Sequence, residues 1–136
     1  AGVSASGCQA TLTSNGVASA SAPSGFFLMA STVEGLKDGL FFYGTNGSQA
    51  NPWGNGASYQ CVVPPTIRTP TLNSSGTVGS CNGSMSRDMN AYWFANPIKN
   101  PGLGATVDLQ LWYRDPLNTS SQTTSLSDAI EFEICE

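Results

Sequence analysis

The chain contains no histidine in 136 residues. Ser-His-Asp and Cys-His nucleophile arrangements are therefore excluded, because imidazole carries the proton in both. Charge is also scarce: only 10% of residues are Asp, Glu, Lys or Arg, against about 25% in an average globular chain. The five cations, Lys37, Arg68, Arg87, Lys99 and Arg114, form no run, and the net charge is −4. Such a surface does not attract phosphate backbones, so no nucleic-acid partner is expected. No apolar run approaches the ~20 residues of a transmembrane helix, so no membrane span is expected. There is no GxSxG, no phosphate-binding loop and no dinucleotide fingerprint. No stretch keeps a helical apolar period over three turns, and the helical candidates are single turns near Glu34–Asp38 and Ala91–Ala95.

What remains is ordered and apolar. Hydrophobic residues make up 40% of the chain and aromatics 10%, a content that disordered chains lack. The length suits one domain, residues 1–136, able to bury roughly two-thirds of its unfolded surface. Short apolar or alternating runs, bounded by Gly, Pro, Asn and Ser, mark strands at residues 9–13, 17–20, 26–33, 40–45, 58–63, 84–93, 106–114 and 129–135. Asn15-Gly16 is a tight-turn signal between the first two. The unbroken Leu-Phe-Phe-Tyr at 40–43 predicts a strand covered on both faces or facing a partner. Residues 46–57 read as loop, and Pro70 makes 66–72 an edge segment. Along 106–114, Val107, Leu109, Leu111 and Tyr113 share one face; Asp108, Gln110, Trp112 and Arg114 share the other. The expectation is an all-β fold: an antiparallel two-sheet β-sandwich or jelly roll of about eight strands.

The four cysteines, Cys8, Cys61, Cys81 and Cys135, show no CxxC spacing. Two disulfides formed in an oxidising compartment explain them better than zinc. Of three pairings, the preferred one joins Cys61 to Cys81 and Cys8 to Cys135. The opening Ala1-Gly2-Val3-Ser4-Ala5 reads as a mature end left after signal-peptide removal, so the expected location is extracellular or at the cell surface.

Candidate functional residues are few. Nine acidic residues offer carboxylate pairs of the kind glycoside hydrolysis uses, but no motif singles one out, and a non-catalytic role is expected. Trp53, in a Gly/Asn-rich loop, and Trp112, beside Asp108 and Gln110, are candidate glycan contacts. Indole faces stack on sugar C–H faces, while amides and carboxylates bind hydroxyls. The bland alternative is that these rings, with Trp93, fill the core. Arg114, Asp115 and Asp128 are expected to form a structural clasp, with Asp128 pairing Arg114 and Asp115 accepting turn N–H groups. A Ca2+ ion shared by Asp115 and Asp128 is the alternative use of that pair; no other cofactor or metal is expected. Residues 1–22, built almost wholly of small residues, form a segment that could exchange between copies as an added strand. Four Asn-x-Ser/Thr sequons begin at Asn46, Asn73, Asn82 and Asn118, all in expected loops.

The stretches "CNGSMSRDMNAYW", "LQLWYRDP" and "LSDAIEFEIC" resemble a recurrent small secreted bacterial β-domain. In it a strand ending in a Trp-Tyr-Arg-Asp-Pro pattern precedes Leu-Ser-Asp-Ala and a last strand ending in Cys. The matching residues are Trp112, Arg114, Asp115, Pro116, Leu126, Ser127, Asp128, Ala129 and Cys135; "GLFFYG", "NPWGNG" and "CVVPPTIRTP" extend the pattern over residues 8–136. That domain is often appended to long exported proteins. The resemblance implies an extracellular β module and supplies no catalytic residues. The leading expectation is a structural or adhesive protein that assembles with copies of itself into a surface filament or matrix through strand pairing. The alternative is a carbohydrate-binding module for extracellular polysaccharide.

Overall fold

The structure, a computed structural model, describes residues 2–53, 58–116 and 123–136. It is built of antiparallel sheets in three layers. The first layer is a sheet of β1 (Thr11–Gly16), β2 (Phe26–Val33) and β8 (Gly83–Asp88), in the order β1-β2-β8. The central sheet runs β10-β9-β3, with β3 at Asp38–Gly44, β9 at Thr106–Arg114 and β10 at Thr124–Glu133. The free edge of β3 is shared by two short strands, β6 (Ile67–Arg68) and β7 (Leu72–Asn73). The third layer is a hairpin of β4 (Ser48–Trp53) and β5 (Ser58–Val62). A single-disulfide sandwich thus replaces the expected two-disulfide one, and it carries an added outer hairpin.

The main core lies between the first and central sheets. Leu28, Ala30 and Met85 meet Phe41, Tyr43, Val107, Leu109, Leu111 and Tyr113, all buried. A short helix, α1 (Met89–Ala95), closes one end and inserts Trp93. The Trp93 indole N–H donates to the Tyr43 hydroxyl at 3.1 Å, which donates to the Lys99 carbonyl at 2.7 Å. Burial pushes the Tyr43 phenol up to about 12, partly offset by the Trp93 bond. Trp93 is therefore a core residue. Asp88 starts α1 as its N-cap, accepting from the Ala91 N–H at 3.2 Å.

The expected reading of β9, apolar inside and polar outside, is overturned on the polar side. Asp108 and Gln110 are both buried, because the β4–β5 hairpin lies over them. The Leu-Phe-Phe-Tyr run of β3 is covered on both faces for the same reason: Phe41 and Tyr43 join the main core, Phe42 a second cluster with Val62 and Leu126. Residues 46–57 are not all loop, since β4 occupies part of that stretch. Asn15-Gly16 makes no turn; both residues pair with β2, at Phe27 and Phe26. Gly16 takes φ +93°, and a Cβ there would strike the Gly25 carbonyl.

The disulfide expectation is corrected. Cys8 bonds Cys81, with Cα atoms 5.3 Å apart. The topology explains it: β1 and β8 both start at the same end of β2, where Thr11 faces Ser31 and Gly83 faces Val33. Cys8 and Cys81 sit just ahead of those starts. Cys61 lies in the outer hairpin, Cys135 follows β10 beside Ser19, and both are free thiols. The segments on either side of β1 also pack at home: before it the Gly2 N–H bonds the Leu126 carbonyl, and after it Ser19 forms a parallel bridge with Cys135.

Candidate binding cleft

The central sheet has two faces of equal length but unequal cover. Its inner face meets a whole sheet and a helix. Its outer face meets only the hairpin, which has two strands. Gln110 anchors that hairpin in place of a backbone ladder. Its amide donates to the Tyr59 carbonyl at 2.8 Å and the Ser127 carbonyl at 2.6 Å, and accepts the Cys61 N–H at 3.1 Å. Ser58 adds an acceptor for the Leu126 N–H at 3.2 Å. Beyond the hairpin, toward the start of β3 and the end of β9, a hollow borders the outer face among the described residues.

This hollow is a cleft of about 350 Å³, within the ~300–1,000 Å³ range of small-molecule sites. Leu40 and Trp112, cross-strand partners, contribute to it, with Asp38, Thr71, Arg114 and Thr124 around them. Trp112 also lines a smaller hollow of about 50 Å³ on the hairpin side, together with Trp53, Gln60, Thr66 and Arg68. One indole thus forms a wall common to two adjoining hollows.

The aromatic geometry is fixed by neighbours. Trp53 meets Trp112 edge to face, centroids 6.5 Å apart. The Trp53 N–H donates to the Thr124 hydroxyl at 3.1 Å. The Arg68 guanidinium lies 4.4 Å from the Trp112 ring centroid, a cation–π contact. Both indoles are half-buried, and the Trp112 N–H is buried with no hydrogen-bond partner.

The structure thus brings Trp53 and Trp112 together and sets Asp108 and Gln110 apart from them. Gln110 spends its amide on the hairpin. Asp108 lies beneath the same cover, and burial raises its carboxyl, followed by the hydrogen bond to and the charge of Glu131, its cross-strand partner. Asp38, Thr71 and Thr124 border the cleft instead, and Arg68 borders the smaller hollow. No periodicity marks these; they meet because β6 and β7 fold onto the edge of β3.

The clasp is rebuilt with different partners. Arg114 is exposed, and no ion pair joins it to Asp128. The register sets Thr124, not Asp128, opposite Arg114 at the end of β9. Asp128 accepts the Leu12 N–H at 2.8 Å, and the buried Asp115 accepts the Ala5 N–H at 2.9 Å and the Ser125 hydroxyl at 2.7 Å. The two motif aspartates therefore hold the N-terminal segment against the β9–β10 hairpin. They hold different parts of that segment, Asp115 at Ala5 and Asp128 at the start of β1. Among the described residues no group of three His, Cys, Asp or Glu side chains could hold a metal. Asn46, Asn73 and Asn82 are exposed; Asn118 lies outside the described residues.

No family model, curated protein or solved structure matches this chain. No helix among the described residues is long and apolar enough to cross a membrane.

Proposed function

We propose that this chain is a non-catalytic, exported β module that binds polysaccharide in the cleft beside Trp112. The observation that carries the reading is the shared indole wall: Trp112 borders both hollows, with hydroxyls, a carboxylate and guanidiniums around it. Sugars are recognised by that mixture, their C–H faces against rings and their hydroxyls against polar groups. The Cys8–Cys81 bond supports export, since such bonds persist in oxidising compartments. The resemblance to a recurrent secreted domain agrees with it.

Assembly through the N-terminal strand is the second reading. It draws support from the first sheet's outer face, where Phe27 and Met29 are half exposed and lie opposite Asp88 and Ser86. It ranks lower because the disulfide and the paired aspartates hold that segment in its own chain.

The test is affinity electrophoresis of the oxidised protein through gels containing soluble polysaccharides, with indole fluorescence as a second readout. Retardation by a glycan, lost in Thr71→Trp, is the expected result. Thr71 is exposed, so the bulky ring fills the cleft without disturbing the core. Trp112→Ala is the companion variant. Retardation that Thr71→Trp leaves intact would place binding elsewhere. No retardation by any glycan, with ordered oligomers in negative-stain electron microscopy, would favour assembly.

A further inference from the structure

We infer that the cleft selects acidic glycans, whose carboxylate or sulfate groups dock on Arg114 and Arg68. This rests on the glycan-binding reading and specifies its ligand. The chain carries five cations against nine acids, yet two of the five border the two hollows that Trp112 divides. The other three are placed elsewhere. Lys37 pairs with Glu34 at 3.7 Å, Arg87 donates to the Pro70 carbonyl at 3.0 Å, and Lys99 lies in the 3-10 turn after α1.

Arg114 and Arg68 are both exposed, and neither forms an ion pair among the described residues. Arg68 rests its guanidinium on the Trp112 ring, which leaves its N–H edge free of any carboxylate. Asp38 is the one acid bordering the larger hollow. It follows the register to a position opposite Arg114, but its carboxylate accepts the Asn73 amide at 3.0 Å. Among the described residues the two hollows together therefore hold two guanidiniums against one carboxylate, a net charge of +1 in an acidic chain. A neutral sugar has no use for two exposed guanidiniums that no ion pair holds. An acidic one meets a planar donor fork on either side of the indole, while the exposed Asp38 and Thr71 serve its hydroxyls.

Two matched pairs of ligands test this: polygalacturonate against its methyl ester, and dextran sulfate against dextran. Binding is measured by fluorescence titration at low and at high salt. The expected result is at least about tenfold tighter binding of the acidic member of one pair, weakened by salt. Arg114→Gln and Arg68→Gln should each remove most of that preference, with unchanged melting temperature. The pair that responds tells carboxylate from sulfate. Equal binding of acidic and neutral members overturns the inference and leaves the cleft reading standing. A preference for acid that survives both Arg variants also overturns it. Failure of all four ligands, together with every neutral glycan, removes the cleft reading itself.

Discussion

The Cys8–Cys81 bond closes a loop with a sequence separation of 73. In the chain-entropy model a loop of that length takes about 4 kcal/mol of conformational freedom from the unfolded chain. Domains of this kind have total stabilities of about 5–15 kcal/mol, so the bond is a large share of the whole. Cys8→Ser/Cys81→Ser is expected to lower stability by about 4 kcal/mol and the melting temperature by roughly 10–20 °C. Cys61→Ser and Cys135→Ser should each cost less than about 1 kcal/mol, since neither thiol is fully buried or bonded to sulfur. Thermal and urea melts followed by circular dichroism measure the difference. Alkylation of the unreduced, denatured protein, followed by peptide mapping, should label Cys61 and Cys135 alone. A Cys61–Cys81 peptide, or a double variant as stable as the parent, would refute the topological argument that brings Cys8 to Cys81.

Three further outcomes follow from the buried polar groups. Gln110→Ala strips partners from the Tyr59 and Ser127 carbonyls and the Cys61 N–H, and is expected to cost about 2–4 kcal/mol, with loss of hydrogen-exchange protection over residues 58–62. Asp88→Ala removes the α1 cap and the links to the Gly25 and Phe26 N–H groups at 3.0 and 3.3 Å, at about 1–2 kcal/mol by urea melts. Burial raises the Asp88 carboxyl, but the Gly25, Ala91, Phe26 and Asn90 N–H groups outweigh it and bring the net value below the ordinary one. Its stabilisation is thus present above the unfolded value and lost as pH falls through the folded one; Asp88→Ala should lose less relative to the parent in acid than at pH ~7. Asp108 has the opposite sign. Its raised carboxyl stabilises the fold only below the unfolded value, and that contribution disappears as pH rises through the folded one. Asp108→Asn should therefore melt above the parent at neutral pH, with the gain closing in acid, and a variant less stable at neutral pH would contradict the assigned burial and Glu131 contact.

Legibility differed by level. The strand β9 is plain in sequence because its inward residues alternate without a break, and Leu111 and Tyr113 are buried as their positions predict. The same alternation misleads on the other side, since it carries no sign that a third layer covers Asp108 and Gln110. The strand β4 is hidden by polar residues and Asn51-Pro52, which are tolerated in an outer two-stranded hairpin. The helical turn near Ala91–Ala95 is legible, but the run at 84–93 hides how early the strand gives way, at Asp88, a capping residue placed just before Met89. Cysteine pairing depends on which strand ends adjoin, a property of topology that spacing alone does not encode. At the site, Trp53 and Trp112 are legible as rings in a polar setting. Arg68 is not, because its place over Trp112 depends on the fold of an edge strand only two residues long.

The N-terminal segment decides between the two readings of function, and its chemistry yields a last prediction. Donation of this strand to a neighbour requires that β1 leave β2 and that the Ala5 and Leu12 N–H groups leave Asp115 and Asp128. A neighbouring copy could replace all of those bonds, so exchange costs little in hydrogen bonding. The covalent bond is different: while Cys8 is joined to Cys81, β1 follows it in sequence and cannot travel far from β8. The oxidised protein is therefore expected to run as a monomer in size-exclusion chromatography across concentrations, and Cys8→Ser/Cys81→Ser to form dimers as concentration rises. Asp115→Ala and Asp128→Ala added to the double variant should shift that equilibrium further, because they weaken the closed form. Fibres or large oligomers from the oxidised parent would show that assembly uses another surface. The exposed face around Phe27 and Met29 would then be the first to substitute with charge.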